Sequence, residues 1–430
     1  LTTCSVDVLS HTAVRARNGG ALFATCYDAE LLDSLAAAAG SAVAVDVAGD
    51  DVAWRALDAA QFAATQKVTP GAATTTLGPP LQLASIPFCG RYTVPLEAFD
   101  EGVVGAKARN TKALNESLGG GKIPSWIRLP KSMVVPFGTM EHVLEDAVNA
   151  TARARLAELE RAVDDSSEEA LESSLRACRA CVRSMRPAPG MLDAIEAEML
   201  RAGIDPPEDE ERWEKAWSAL VDVWASKWND RAFVSLRNVG IDHADLRMSV
   251  LVQPVVDADY AFVIHTVNPS TGDEGELYAE VVAGLGEALV GNYPGRAMSF
   301  VANKNDLTNP RVIGFPSKAN GLFTDRPTLI FRSDSNGEDL EGFAGAGLYD
   351  SVTVVPTESH VVNYADEPLV WDEAKRAALL SRLVALAVAV EAETGAPQGD
   401  GCPRGCAQSA PGCKRQNRIT YILTRHLYAP

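Results

Sequence analysis

The stretch "FRSDSNGEDLEGFAGAGLYDS", residues 331–351, runs from the end of an apolar strand through a polar turn into a glycine-rich loop. The preceding "TLIF" is β-branched and apolar, as a buried strand requires. Gly342, Gly345 and Gly347 crowd the loop, and residues without a Cβ let backbone N–H groups come close to a polyphosphate. Arg332, at the strand end, is placed to grip phosphate oxygens with two parallel hydrogen bonds. An arginine, four acidic residues and a glycine loop within 16 residues leave two readings open, a nucleotide site and a flexible turn. Lys107, in "VVGAKARN", is a further cation that means nothing alone.

A second constellation lies near the other end, in "DVLSHTAVRARNGG", residues 7–20. Ser10 is a good N-cap, which places His11 in the first turn of a helix. The free N–H groups of that turn favour an anion. Arg15 follows His11 at i+4, on the same face, with Arg17 close by. A neutral imidazole nitrogen is also a competent nucleophile toward phosphorus. Spacing alone favours the plainer reading, a capping histidine with solvated arginines.

The bulk properties bound the rest. A chain of 430 residues suits two or three domains, and 47% hydrophobic with 22% charged residues is ordinary globular composition. There is no apolar run of about eighteen residues or more, so no membrane span is expected. The net charge of −18 speaks against nucleic acid or an anionic membrane as partner. A neutral partner, or a small anion in a locally basic pocket, fits better. Cys4, Cys26, Cys89, Cys178 and Cys181 are scattered as reduced thiols would be. Cys178 and Cys181, one helical turn apart, read as a packed face and not a metal pair. No signal or transit peptide is recognisable ahead of the first domain, an absence that carries no information here. Leu1 falls inside a structural unit, so the chain is expected to be the C-terminal piece of something longer, with the early strands of its first domain missing.

Along the chain, residues 1–66 alternate: a helix after Ser10, a strand at "ALFATCYD", a helix at "AELLDSLAAAAG" and a strand at "SAVAVDV". A linker is expected over 67–90, centred on "VTPGAATTTLGPP". The second domain spans 91–430, with "GKIPSWIRLPKSMVVPFG" strand-like and 141–230 a helical insertion broken at "DDSSEE" and "RPAPG". Trp213, Trp217, Trp224 and Trp228 repeat at helical spacing; burial in a core is the preferred reading over stacking on sugars. "MSVLVQPVV" and "YAFVIHTV" are strands, and residues 372–394 a helix rich in Ala and Leu.

Taken together, these segments resemble the α-glucan, water dikinases, the starch-phosphorylating enzymes. "DVLSHTAVRARNGGALFATCYD" is similar to that family's phosphohistidine motif, and "GAKARN" and "GKIPSWIRLPKSMVVPFGTMEHVL" to the start of its nucleotide domain. "WEKAWSALVDVWASKWNDRAFVSLR", "VLVQPVVDADYAFVIHTVNPSTGD", "YAEVVAGLGEALVGNYPGRA" and "IFRSDSNGEDLEGFAGAGLYDSV" continue the likeness in order, to about Gln398. The resemblance extends to pyruvate, phosphate dikinase and phosphoenolpyruvate synthase. Here, however, the histidine module comes first and no pyruvate-binding barrel follows. Within the glucan enzymes, the glycine-loop segment is closer to the one acting on unphosphorylated glucan.

The resemblance implies an α/β plus α+β fold: a partial swivelling phosphohistidine domain, then an ATP-grasp-type nucleotide-binding domain with a helical insertion. It implies that His11, with Arg15 beside it, accepts the β-phosphate of ATP and passes it to a glucosyl hydroxyl of starch-like α-glucan, expected at O6. The γ-phosphate goes to water and AMP is left. Lys107, Arg332 and the loop glycine Gly345 match phosphate-binding positions, and Gln253 the adenine side. Glu287 matches a nucleotide- or Mg²⁺-contacting carboxylate. The linker supplies the hinge that such a relay needs, and a chloroplast location is implied. Glucan-binding modules would lie upstream.

The last residues, 399–430, depart from the pattern. Where the family has an acidic "DIEG"-like turn and a strand ending in "VVQTRP", this chain has "GDGCPRGCAQSAPGCKRQNRITYILTRHLYAP". Asp400 stands nearest the expected metal-binding Glu, and Leu423 holds the Gln position before Thr424 and Arg425. The abrupt change is what a shift of reading frame produces. A genuine tail would weaken Mg·ATP binding, and the alternative expectation is an inactive ATP-binding or scaffold piece. Cys402, Cys406, Cys413 and His426 have no standard zinc spacing.

Overall fold

The computed structural model describes residues 2–3, 5–18, 21–48, 51–67, 83–164, 167–340, 343–345, 347–395 and 419–422. The helices His11–Asn18 and Ala29–Ala37 precede an antiparallel ribbon, β1 (Val43–Ala48) with β2 (Asp51–Ala56). The second helix starts where the Asp28 carboxylate accepts the Glu30 and Leu31 amides at 3.0 and 3.1 Å, satisfying two otherwise orphaned donors. The strand expected at 21–28 does not form. Among the described residues this stretch meets a partner strand only as a bridge from Thr25 to Thr2, and an apolar run needs a neighbour's free backbone groups to become a strand. The core of the expected linker, residues 68–80, lies outside the described residues. Its last part packs closely: the Phe88 ring stacks on His142 with centroids 4.1 Å apart.

The next strands open the first large sheet: β3 (Val94–Pro95), β4 (Met133–Val135) and β5 (Met248–Pro254). The long strand expected over 121–138 shrinks to β4, because Pro124, Pro130 and Pro136 have no N–H to give a ladder. Between β4 and β5 lies the helical insertion, which includes the helices Ala150–Asp164, Glu168–Arg183, Met191–Ala202 and Glu210–Ala225. Trp224 and Trp228 are 0% and 1% exposed in one core with Val250, Val252 and Phe331 of the sheet. Trp217 packs against the same core and donates its indole N–H to the Met185 carbonyl at 2.9 Å. The tryptophan stripe is therefore packing. Cys178 and Cys181 are free and buried in the same core.

A second sheet follows as a meander: β6 (Tyr260–His265), β7 (Glu276–Ala283), β8 (Met298–Asn303) and β9 (Arg311–Gly314), each antiparallel to the last. After β10 (Asn320–Phe323), β11 (Leu329–Ser335) returns to the first sheet and pairs with β5, Arg332 opposite Leu251. A small hairpin, β12 (Asp339–Leu340) and β13 (Phe343–Ala344), carries the acidic turn. β14 (Ser351–Thr353) then flanks β11, and β15 (Glu358–Val361) pairs with β10. The described part of the tail is β16 (Ile419–Ile422), which pairs with β6. The sheet orders are β14-β11-β5-β4-β3 and β16-β6-β7-β8-β9.

Alternation along β7 sends its two faces to different cores. Leu277, Ala279 and Val281 meet Leu379, Leu383 and Val384 of the helix Glu373–Thr394. Tyr278 and Val282 face the other way, into a core that also takes Leu9 from the histidine segment. The histidine segment is thus seated on the second sheet, and the glycine loop leaves the first.

Candidate functional site

Ser10 caps the histidine helix as its position requires: its hydroxyl donates to Asp7 O at 2.8 Å and accepts the Ala13 amide at 3.3 Å. His11 opens the first turn. Its imidazole lies against the glycine loop. Gly347 holds φ +70°, and a Cβ there would stand 2.5 Å from His11 Cγ and Nδ1. Only glycine fits a left-handed backbone pressed on a ring in this way.

Burial presses the Arg15 guanidinium below its usual range, and the positive charge of Arg231 adds to the effect. Two cations repelling one another beside an imidazole form a place that an anion would stabilise. Arg231, from the helix Asp230–Asn238, also donates Nε–H to Leu348 O at 3.0 Å and pairs with Asp350, which accepts from Asn229 at 3.0 Å. Arg17 turns the other way and clasps Val8 O at 2.8 Å.

Lys107, Arg332 and Gln253 gather on the first sheet. The helix Ala106–Gly119 begins against Asp334, whose carboxylate accepts the Lys107 amide at 2.9 Å and the Ala108 amide at 3.3 Å. The Lys107 ammonium donates to Ser333 O at 2.7 Å and pairs with Glu338. Arg332 donates to Gln253 Oε1 at 3.3 Å, and the Gln253 amide donates to Ser132 Oγ at 2.8 Å. Burial lowers the Arg332 pKa, while the Glu338 and Asp334 carboxylates hold it up. Gly345 closes the acidic hairpin, its amide on Glu338 O at 2.7 Å, in a space where a Cβ would strike the Glu338 backbone.

Glu287 opens the short helix Glu287–Val290 on the His11 side. Burial raises its pKa, Arg231 opposes the rise, and Asp350 adds to it. The sequence-derived residues thus fall into two groups, Lys107–Arg332–Gln253 and His11–Arg15–Glu287, bridged by the loop that carries Gly345 and Gly347. Asp400 lies outside the described residues. Residues not singled out from sequence complete the arrangement: Asp334 and Glu338, which were visible only as unassigned acids of the turn, and Arg231 and Asp350. Arg231 sits in the helical region with no local signal; only folding brings it to the loop.

A histidine against a glycine loop, beside a lysine–arginine–glutamine cluster on a sheet, defines a class: a phosphohistidine-like unit seated on an AMP/ATP-binding domain. Residues 1–63 match the family described as "Alpha-glucan water dikinase, phosphohistidine-like domain", and residues 209–307 "Pyruvate phosphate dikinase, AMP/ATP-binding domain". The chain is 42% identical to the chloroplastic alpha-glucan water dikinase of Citrus reticulata over 99% of this chain and 28% of that protein. For alpha-glucan water dikinase 1 of Arabidopsis thaliana the identity is 41%, over 99% and 29%. For the Solanum tuberosum enzyme it is 43%, over 97% and 27%. The chain is similar to one segment of these alpha-glucan water dikinases and spans little more than a quarter of their length. Alignment over 99% of the chain runs beyond Gln398, where the motif likeness was expected to end.

Proposed function

We propose that this chain is the phosphoryl-relay part of a dikinase. Its nucleotide domain, of ATP-grasp type, cleaves ATP; His11 accepts the β-phosphate and, after a swivelling excursion, delivers it to a glucosyl hydroxyl of α-glucan, at O6. The γ-phosphate passes to water and AMP remains. The observation that supports this reading most directly is the contact of His11 with Gly347, which sets the nucleophile on the loop expected to carry the phosphates. Domain limits of 1–66, 67–90 and 91–430, and a plastid location like that named for the relatives, belong to the same reading.

The residues divide the work. Arg332 and Lys107 neutralise phosphate oxygens, Gln253 orients the base side, and Gly345 keeps the loop close. The neutral His11 imidazole supplies the attacking lone pair, and Arg15 with Arg231 stabilises the charge arriving on it. Mg²⁺ is usually held by one or two carboxylates plus substrate phosphates. Glu287 suits that role: burial, and then the neighbouring Asp350 charge, raise its pKa, an electrostatic cost that a cation would relieve. When bound, the ion would screen phosphate charge.

ATP labelled separately at β and γ tests the proposal. Label should reach the protein from the β position alone, vanish in His11→Ala, and transfer to added glucan. A chain that binds Mg·ATP yet takes no β-label overturns the relay and leaves an ATP-binding scaffold.

A further inference from the structure

Beneath the histidine loop lies a polar cluster that the phosphoryl relay leaves unused. Asp7, Glu280 and Lys318 are 1%, 2% and 3% exposed, and they come from three separate places: the loop before the histidine helix, the middle of β7, and the turn before β10. Glu280 Oε1 accepts the Val8 amide at 2.8 Å and Oε2 the Leu9 amide at 2.9 Å. Tyr278, two residues along β7, donates its hydroxyl to Oε1 at 3.0 Å. Asp7 Oδ1 accepts the Ala297 amide at 2.7 Å, and Oδ2 pairs with Lys318 Nζ at 2.7 Å. Lys318 also donates to Tyr293 O at 2.5 Å and Gly295 O at 3.0 Å.

A carboxylate in the centre of an apolar strand is costly to bury, and is tolerated where it answers donors that would otherwise be orphaned. Here both donors belong to the backbone three and two residues before His11. We propose that Glu280, supported by the Asp7–Lys318 pair, is a positioning residue: it latches the 7–10 loop to the second sheet and so holds His11 against the glycine loop, in the seat the histidine must leave to deliver its phosphate. The inference rests on the dikinase reading for its purpose, but not for its geometry.

The chemistry of the latch suits reversible docking. It joins two carboxylates to one buried lysine, with Arg296 acting on Asp7, and it holds the loop by the two amides on Glu280, the Asp7 contacts and the packing of Val8 and Leu9. The groups facing Glu280 are Asp7, Tyr278 on its own strand, Lys318 acting on Asp7, and Arg296 acting on Asp7 from the loop before β8. Burial first, then the Asp7 charge, pushes Glu280 up to about 7, against the pull of the two amides and Tyr278. Undocked, Glu280 regains water and an ordinary carboxyl pKa, so docking takes up a proton. The latch therefore loosens as pH rises from the ordinary carboxyl range to about 7, and changes no further above it.

Amide hydrogen exchange on the whole chain reads the latch without catalysis. In Glu280→Leu, which removes both acceptors, protection of the Val8 and Leu9 amides should fall at least tenfold, while amides of β6, β7 and β8 keep theirs. Lys318→Met, which leaves β7 intact, should loosen the same two amides if Glu280→Leu does not fold. In the unsubstituted chain their protection should decline as pH rises toward 7; in Glu280→Gln it should be flat. In the second arm, β-label transfer to His11 should slow at least tenfold in Glu280→Leu with affinity for Mg·ATP unchanged within twofold. Retained protection in both Glu280→Leu and Lys318→Met overturns the proposal, as does loosened exchange with an unaltered labelling rate. If the unsubstituted chain takes no β-label, the dikinase reading falls, and exchange alone decides the latch.

Discussion

His11 and Gly347 touch although they lie far apart in the sequence, and the contact leaves no room for a Cβ. Gly347→Ala must relax both a left-handed backbone, costing about 1–2 kcal/mol, and an overlap with the imidazole. The loop or the histidine then moves. The expected result is at least a tenfold loss in the rate of β-label transfer to His11, with the denaturation midpoint only slightly lowered. Single-turnover labelling beside a urea titration checks both.

Gly105 occupies the corresponding position on the nucleotide side. A Cβ there would overlap Asp334, whose carboxylate caps the Lys107 helix and whose main-chain carbonyl accepts the Ser249 hydroxyl at 2.6 Å. Gly105 has an ordinary negative φ, so close approach alone requires the glycine. Gly105→Ala should displace Asp334 and with it the Lys107 amide. Loss of a cap and strain in a buried network predict about 2–3 kcal/mol of destabilisation. Affinity for Mg·ATP, measured by calorimetry, should weaken at least tenfold.

How much of this was legible in the sequence varied with the distance over which each residue acts. The Ser10 cap and His11 position follow from local rules, and so do the Asp372 cap and the helix it begins. The glycine loop was legible because close backbone approach selects a residue type that stands out. Glu280 was not, since one carboxyl in "YAEVVAG" breaks an apolar strand without saying which backbone it will meet. Arg231 reads as one more exposed arginine on a helix until the insertion folds back on the loop. The two failed strands share a cause: period and composition report a tendency to extend, whereas a strand also needs donors and a partner. Prolines remove the donors in 121–138, and 21–28 has little partner among the described residues.

The tryptophan stripe provides a stability test that leaves the chemistry alone. Trp224 is fully buried and meets Trp217 edge-to-face with centroids 5.8 Å apart. Trp224→Ala should cost about 3–5 kcal/mol through lost transfer energy and the cavity left behind. If the stripe is packing, binding of soluble maltooligosaccharide by the folded fraction stays unchanged. Loss of sugar binding without loss of stability would reassign the stripe to stacking. Urea unfolding followed by tryptophan fluorescence, with a parallel binding titration, separates the outcomes.

His243 makes the folded chain sensitive to acid. Its ring packs between Trp228 and Phe233 at 5.1 and 5.3 Å, and Nε2 meets Lys227 O at 3.1 Å. Burial, followed by the Lys227 charge, pushes its pKa down to about 4 from 6.5. The unfolded chain therefore takes up a proton near pH 6.5 that the folded chain refuses until about pH 4. The stability this represents is complete above the unfolded value and drains away as pH falls through that window. Glu280 has the opposite sign, because its folded pKa lies above its unfolded one, so it partly masks the effect in the unsubstituted chain. Comparing that chain with His243→Phe cancels the Glu280 contribution. Phenylalanine fills the aromatic slot and does not titrate, so the stability difference between the two should shift by about 2 kcal/mol in favour of the variant between pH 7 and pH 5. Urea titrations at the two pH values measure it, and a difference that stays constant would mean that His243 is solvated in the folded protein.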